Sequence, residues 1–216
     1  MLLKANEKML MMGDSITDCG RAQPVGEGLC EPYGRGYVNL FNGLLGATYP
    51  ELGVRVINLG SSGHTSRELK DRWEADVLAR QPDWVTCMIG VNDVWRQFDL
   101  PQQKEIHVMP AEFEANLESV VKQTVDKVKG FVLLAPFFME LNRKDAMRAQ
   151  VDVYGAIVQK IARKYKTHFV DTQAAFDKAL EHYYPATLGW DRVHPSTVGH
   201  MIIARELMRE LGYQWK

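Results

Sequence analysis

Met11-Met12-Gly13-Asp14-Ser15-Ile16-Thr17-Asp18 closes an apolar run that begins at Met9. An apolar run that breaks at a glycine into small polar residues reads as a buried strand passing into a loop. Ser15 then stands at a strand's carboxyl end, the edge at which open parallel sheets bind ligands, so its hydroxyl can be a nucleophile or a cap. Glycine, aspartate, serine and threonine after a strand are also ordinary turn chemistry, so this stretch alone leaves both readings open.

The rest of the chain repeats the pattern. A glycine- and proline-rich stretch over 17–36 predicts a long loop directly behind Ser15, and loops of that length in compact proteins tend to be functional. Tyr37, Leu40, Phe41 and Leu44 recur at helical spacing, with Gly46 and Pro50 expected to close that helix. Val54 to Asn58 predicts a second strand, with a second junction over Asn58 to Gly63. Thr65 or Ser66 would cap a helix carrying Leu69, Trp73, Val77 and Leu78 and ending before Pro82. Trp84 to Ile89 is apolar almost throughout, as a strand buried on both faces should be. Gly90-Val91-Asn92-Asp93 follows it, and the segment through Pro110 shows no period and is expected to be irregular. Phe113, Leu117, Val120, Val121, Thr124 and Val128 mark a helix ended by Gly130, and Phe131 to Ala135 a fourth strand. Met147 to Tyr165 carries the clearest helical stripe. Lys166 to Asp171 predicts a fifth strand, and the last long helix is expected from Pro195 to Leu211.

Strand and helix alternating five times predict an α/β three-layer sandwich, a five-stranded parallel sheet with helices on both faces. No repeat or linker divides the chain, so 1–216 is expected to form a single domain.

The chain has 216 residues, 46% of them hydrophobic and 25% charged, and a formal charge of -1, an ordinary globular composition with no basic or acidic block. Neither nucleic acid nor a membrane surface is an expected partner. The three cysteines, Cys19, Cys30 and Cys87, lack CxxC spacing and predict free thiols rather than disulfides or a zinc site. Scattered histidines without ligand spacing predict no metal. Lys4, Asn6, Glu7 and Lys8 interrupt the N-terminal apolar residues where a signal peptide needs an unbroken core. The expectation is a cytoplasmic protein. Exposed aromatics, with Tyr213 and Trp215 near the end, suggest self-association as a homo-oligomer.

Before the last helix stands Leu188-Gly189-Trp190-Asp191-Arg192-Val193-His194-Pro195-Ser196. Asp191 and His194, three residues apart in a turn, can point the same way, the carboxylate accepting from one ring nitrogen while the other faces outward. Pro195 would hold the imidazole at the entrance of the helix. The bland reading is a capping aspartate beside a surface histidine. Against it stands a coincidence of type: serine after the first strand, glycine after the second, an amide after the third, and Asp with His after the fifth. Acyl transfer needs these parts, because a serine hydroxyl requires a base, the base an orienting group, and the oxyanion fixed donors.

Gly13-Asp14-Ser15, Gly63, Gly90-Val91-Asn92-Asp93 and Asp191-Arg192-Val193-His194, taken in order, resemble the four sequence blocks of the GDSL or SGNH hydrolase family, with Ile16 where the first block has leucine. The resemblance implies the flavodoxin-like SGNH hydrolase fold. It also implies Ser15 as nucleophile, His194 as general base and Asp191 as its orienting carboxylate. The Ser15 amide, the Gly63 amide and the Asn92 side chain would then form the oxyanion hole, with no cofactor. Gly60 competes with Gly63 for the second block; Gly63 is preferred because it lies just before a helix start. Asp14 and Asp93 are expected to accept from loop amides beside the site.

The chain as a whole looks like the acetylxylan esterase branch of carbohydrate esterases. That implies a serine esterase removing acetyl groups from xylo-oligosaccharides or related sugars, with Trp95 and Trp190 as candidate substrate contacts. A lysophospholipase or thioesterase acting on longer acyl chains is the alternative enzyme. A non-catalytic binding module on a flavodoxin-like fold is the alternative of another class.

Overall fold

The computed structural model describes residues 1–214, so Trp215 lies outside the described residues. Five strands form one sheet: β1 (Lys8–Gly13), β2 (Arg55–Gly60), β3 (Trp84–Met88), β4 (Gly130–Leu134) and β5 (His168–Val170). All neighbours pair in parallel, in the order β2-β1-β3-β4-β5. Because β1 connects outward to β2 while β3 lies on its other side, the strand order reverses between β1 and β3. Helices diverge from the sheet there, and the crevice at the carboxyl ends is where doubly wound folds take ligands.

The helices are α1 (Ser15–Asp18), α2 (Tyr37–Thr48), α3 (Ser66–Asp71), α4 (Trp73–Asp76), α5 (Val91–Asp99), α6 (Pro110–Thr124), α7 (Ala146–Tyr165), α8 (Thr172–Leu180), α9 (Pro185–Leu188) and α10 (Thr197–Glu210). α2 and α8 pack on α10 as one layer, while α3 and α7 flank α6 as the other. Apart from Lys8, every β1 residue is buried, the mark of a strand covered on both faces. Trp73 stacks on Phe131 in the core and donates its indole N–H to Thr124 Oγ1 at 2.8 Å. The buried Arg148 on α7 is held by Asp152 and Asp177, each at 2.8 Å, which fixes α7 to α8. None of the described helices is long and apolar enough to cross a membrane.

Several boundaries differ from expectation, each for a physical reason. Gly46 lies inside α2, where the space beside its Cα is open. β2 extends to Gly60, because Asn58 is a buried strand residue whose side chain donates to the carbonyls of Thr17 and Tyr33. The helix expected across Leu69 to Leu78 breaks at Arg72, whose guanidinium reaches the sheet edge. The segment after Gly90 is not irregular: Val91–Asp99 is helical, with Val91, Val94, Trp95 and Phe98 at helical spacing, a stripe of two turns that is lost when the whole stretch to Pro110 is read together. α6 ends at Thr124 rather than running on towards Gly130, and Gly130 begins β4, where the Trp84 ring leaves no room for a side chain. α8 was not anticipated, since its first residues, Thr172 and Gln173, are polar and buried. α10 starts at Thr197 with Ser196 as its N-cap, leaving Pro195 outside the helix. Tyr213 is half-buried, its hydroxyl 2.6 Å from that of Thr48 and its ring edge-on to Tyr49.

Gly60 and Gly63 offer a contrast in what a methyl group would meet. A Cβ on Gly60 would overlap the backbone of Thr17 and Asp18, whereas one on Gly63 meets open space and only the cost of a φ of +81°. Gly60→Ala is therefore expected to lose about 3 kcal/mol of stability and Gly63→Ala about 1 kcal/mol, read from urea unfolding midpoints.

Candidate active site

The first strand delivers its serine through a turn with no slack. A Cβ on Gly13 would fall on the Thr17 side chain and the Met88 carbonyl, so the chain can reverse there only at glycine. Asp14 then caps α1, its carboxylate accepting from the Ile16 N–H at 2.9 Å. Ser15 is the first residue of that short helix, and its own N–H has no acceptor among the described residues.

From the far end of the chain the loop before α10 brings two more groups to the same place. Ser15 Oγ lies 2.8 Å from His194 Nε2, and His194 Nδ1 lies 2.6 Å from Asp191 Oδ2. The other oxygen of Asp191 accepts from the backbone N–H groups of Val193 at 2.9 Å and His194 at 2.8 Å. Burial would push the Asp191 carboxyl up, but the His194 side chain and these two amides outweigh it and hold it below the usual carboxylate range. An ionised Asp191 accepts a proton-bearing Nδ1, which leaves the Nε2 lone pair facing the serine hydroxyl. The turn is set by Arg192, at a φ of +64°, whose carbonyl accepts from Met139 N–H at 2.9 Å and whose guanidinium pairs with Glu140 at 2.9 Å.

The structure also separates the two candidate glycines. The N–H of Gly60 is used, donating to Asn58 Oδ1 at 2.9 Å. The N–H of Gly63, in an exposed turn, has no acceptor among the described residues. Asn92, on the first turn of α5, spends one amide hydrogen on the carbonyl of His64 at 2.9 Å, tying the third junction to the residue beside Gly63 and leaving its second hydrogen. The tryptophans part company: the Trp95 ring is edge-on to His194 at 5.7 Å, while Trp190 is 82% exposed.

Supports that spacing did not reveal surround these groups. Arg72 donates to the carbonyls of Leu59 at 2.7 Å and Gly13 at 3.1 Å, clamping the carboxyl ends of β2 and β1. Asp18 accepts from the Ser62 hydroxyl at 2.7 Å. Asp93 accepts from both the N–H and the hydroxyl of Ser66, at 3.1 and 2.6 Å, locking α5 to the first residue of α3. His200 is a structural residue whose Nδ1 accepts from the Tyr37 N–H at 3.1 Å, and burial pushes it down to about 4. Among the described residues no three of His, Cys, Asp and Glu cluster as a metal site would require.

Comparison with known proteins gives the same outline. Residues 11–202 match the model of the GDSL-like lipase/acylhydrolase family. An acetylxylan esterase of Geobacillus stearothermophilus is 56% identical over 215 residues, covering 100% of this chain and 98% of that protein. Its crystal structure superposes with a TM-score of 0.98 at the same coverage, and solved variants of it include catalytic mutants S15A, D191A and H194A. An α/β hydrolase from the metagenome of Lake Arreo, Spain, is 48% identical, with a TM-score of 0.97 and 98% of each chain covered.

Two buried carboxyls next to the site carry a pH signature. Burial pushes Asp14 up to about 6 against the Ile16 hydrogen bond, and Asp93 up to about 7 against its bonds from Ser66. Carboxyls raised above their unfolded values favour the fold fully at low pH, and that contribution is lost as pH rises through the folded values. The unfolding midpoint of the wild type is therefore expected to fall as the pH rises from about 4, the unfolded value, to about 7, and Asp93→Asn to show a shallower slope over the same window. An unaltered slope would contradict the assignment.

Proposed function

The chain belongs to the GDSL-like lipase/acylhydrolase family, and we propose that it is a serine esterase that removes acetyl groups from xylo-oligosaccharides or related sugars through an acyl-enzyme on Ser15. The observation that carries the mechanism is the unbroken chain Ser15 Oγ, His194, Asp191, with contacts of 2.8 and 2.6 Å. The 56% identity to the Geobacillus acetylxylan esterase over the whole chain supports the acetyl-saccharide substrate. That relative's catalytic mutants carry the numbers at which this chain has Ser15, Asp191 and His194.

In the first step His194 Nε2 takes the Ser15 proton as Oγ attacks the acetyl carbonyl. Negative charge then develops on the carbonyl oxygen, and the N–H groups of Ser15 and Gly63 with the free hydrogen of Asn92 are the donors assigned to it. Donors held in place before reaction need no reorganisation when that charge appears, which is why unengaged backbone amides suit the role. The protonated His194, stabilised by Asp191, gives its proton to the departing sugar oxygen. A water deprotonated by the same nitrogen then releases acetate and regenerates the serine.

Asp191 stays ionised, since its carboxyl is held below the usual range, and so carries the charge that stabilises the imidazolium formed on His194. The whole of 1–216 acts as one catalytic unit in this reading, with the late Asp191 and His194 completing a site begun by β1.

Two assays test the proposal together. Across p-nitrophenyl esters of increasing acyl length the activity should peak at acetate, with acetate also released from acetylated xylo-oligosaccharides. Ser15→Ala should reduce both by a factor on the order of 10³ or more. A peak at butyrate or longer overturns the acetyl reading.

A further inference from the structure

Two of the donors assigned to the oxyanion lie on separate pieces of chain. The Ser15 N–H belongs to α1, and the Gly63 N–H belongs to a turn over 61–64. In that turn His64 N–H donates to the Ser61 carbonyl at 3.3 Å, Gly63 has a φ of +81° and Ser62 does not have a positive φ, which together define a type II turn. The left-handed glycine sets which way the Ser62–Gly63 peptide faces, and hence where its N–H points. It does not set where the turn stands relative to the serine.

Ser62 and Gly63 are exposed, so no core packing holds them and their placement depends on hydrogen bonds. One end of the turn is held by the Gly13 carbonyl, which accepts the Ser61 N–H at 3.0 Å, and the other by Asn92, which donates to the His64 carbonyl at 2.9 Å. The middle is held from α1. Asp18 Oδ2 accepts from the Ser62 hydroxyl at 2.7 Å and from the Ser62 N–H at 3.2 Å, while Oδ1 accepts from the Arg21 N–H at 3.2 Å. Gripped through both oxygens and only 8% exposed, this carboxylate has one orientation. A carboxylate also accepts more strongly than a neutral group would.

Asp18 reaches Ser62 because α1 lies directly on the end of β2. A Cβ on Gly60 would fall on the Asp18 backbone nitrogen, and Asn58 ties the Thr17 carbonyl to the strand at 2.7 Å. Ser15 and Asp18 are the first and last residues of α1, a single helical turn, so they move as one piece. Resting on the esterase reading above, we propose that Asp18 is a positioning residue of the oxyanion hole. It ties the turn that bears the Gly63 donor to the helical turn that bears the nucleophile and its own donor N–H. It touches no substrate and acts through Ser62 on the placement of the Gly63 amide. A carboxylate that merely braced the fold would instead lower kcat by the same factor whether or not Gly63 could donate.

The test measures kcat and KM for p-nitrophenyl acetate in wild type, Asp18→Ala, Asp18→Asn, Gly63→Ala and the double variant Asp18→Ala/Gly63→Ala, each well below its unfolding midpoint by circular dichroism. Asp18→Ala should lower kcat at least about tenfold with KM within about twofold of wild type, because the donor acts on charge that develops in the transition state. Asp18→Asn keeps an acceptor oxygen and should recover most of the loss. In Gly63→Ala the added methyl meets open space but disfavours the φ that aims the donor, so Asp18→Ala should cost less than about threefold more on that background. A smaller loss in Asp18→Ala alone, or a larger one on the Gly63→Ala background, overturns the positioning role and leaves the esterase reading intact. Should Asp18→Ala fail to fold, Ser62→Ala makes the same comparison by removing the 2.7 Å bond alone. Its kcat should fall at least about threefold in the wild-type background and by less than that beside Gly63→Ala, and any other pattern overturns the role. Wild type that hydrolyses no ester, or Ser15→Ala that still does, removes the esterase reading and the positioning role with it.

Discussion

The carbonyl of Gly13, at the carboxyl end of β1, accepts two hydrogen bonds: from Ser61 N–H at 3.0 Å and from the Arg72 guanidinium at 3.1 Å. Through the first it holds the turn that carries Gly63; through the second it holds the break between α3 and α4. The next peptide leads to Asp14, which caps the helix whose first residue is Ser15. The second junction is tied in turn to the third by Asn92 and Asp93. Three loops that are far apart in sequence are thus referred to one carbonyl on a strand buried almost throughout, where the strand order reverses. A nucleophile and its oxyanion donors must keep their relative placement to within fractions of an ångström, and a rigid sheet edge supplies that constraint.

The site uses burial in two opposite ways. Asp191 is surrounded by donors that outweigh its desolvation, so it stays charged and can hold an imidazolium. Asp14 and Asp93 sit deeper, and burial raises both. Their work is to satisfy the amides of Ile16 and Ser66, and charge on either is a cost to the fold rather than a resource for the reaction. The three carboxyls differ in environment more than in chemistry, which is how a small site separates structural from catalytic groups.

How much was legible in the sequence depended on the range of the interaction. A strand buried on both faces leaves a continuous apolar run, so β1 and β3 were readable from Met9 to Met12 and from Trp84 to Ile89. Asp191 and His194 were readable because their coupling is local, three residues within one turn. α5 carries a helical stripe too, Val91, Val94, Trp95 and Phe98, but it spans only two turns and is followed by a stretch without period, so it did not stand out from the loop it opens. Gly60 and Gly63 could not be told apart along the chain except by position, because the bond that engages the Gly60 N–H comes from the side chain of Asn58 and shows only in the fold. Arg72 and Arg192 could not be found at all, because a guanidinium that clamps distant carbonyls or pairs across loops leaves no pattern along the chain. Trp95 and Trp190 looked equivalent in sequence, and only folding sets one beside the imidazole and the other in solvent.

The central claim is that Ser15 carries the acyl group between the two half-reactions. The most direct measurement is rapid acid quenching during turnover of p-nitrophenyl acetate, followed by peptide mass mapping of the trapped protein. An acetyl group is expected on the peptide containing Ser15, appearing with the first burst of p-nitrophenol. An acetyl group on another residue, or a burst with no acetylated peptide, would contradict that role of Ser15.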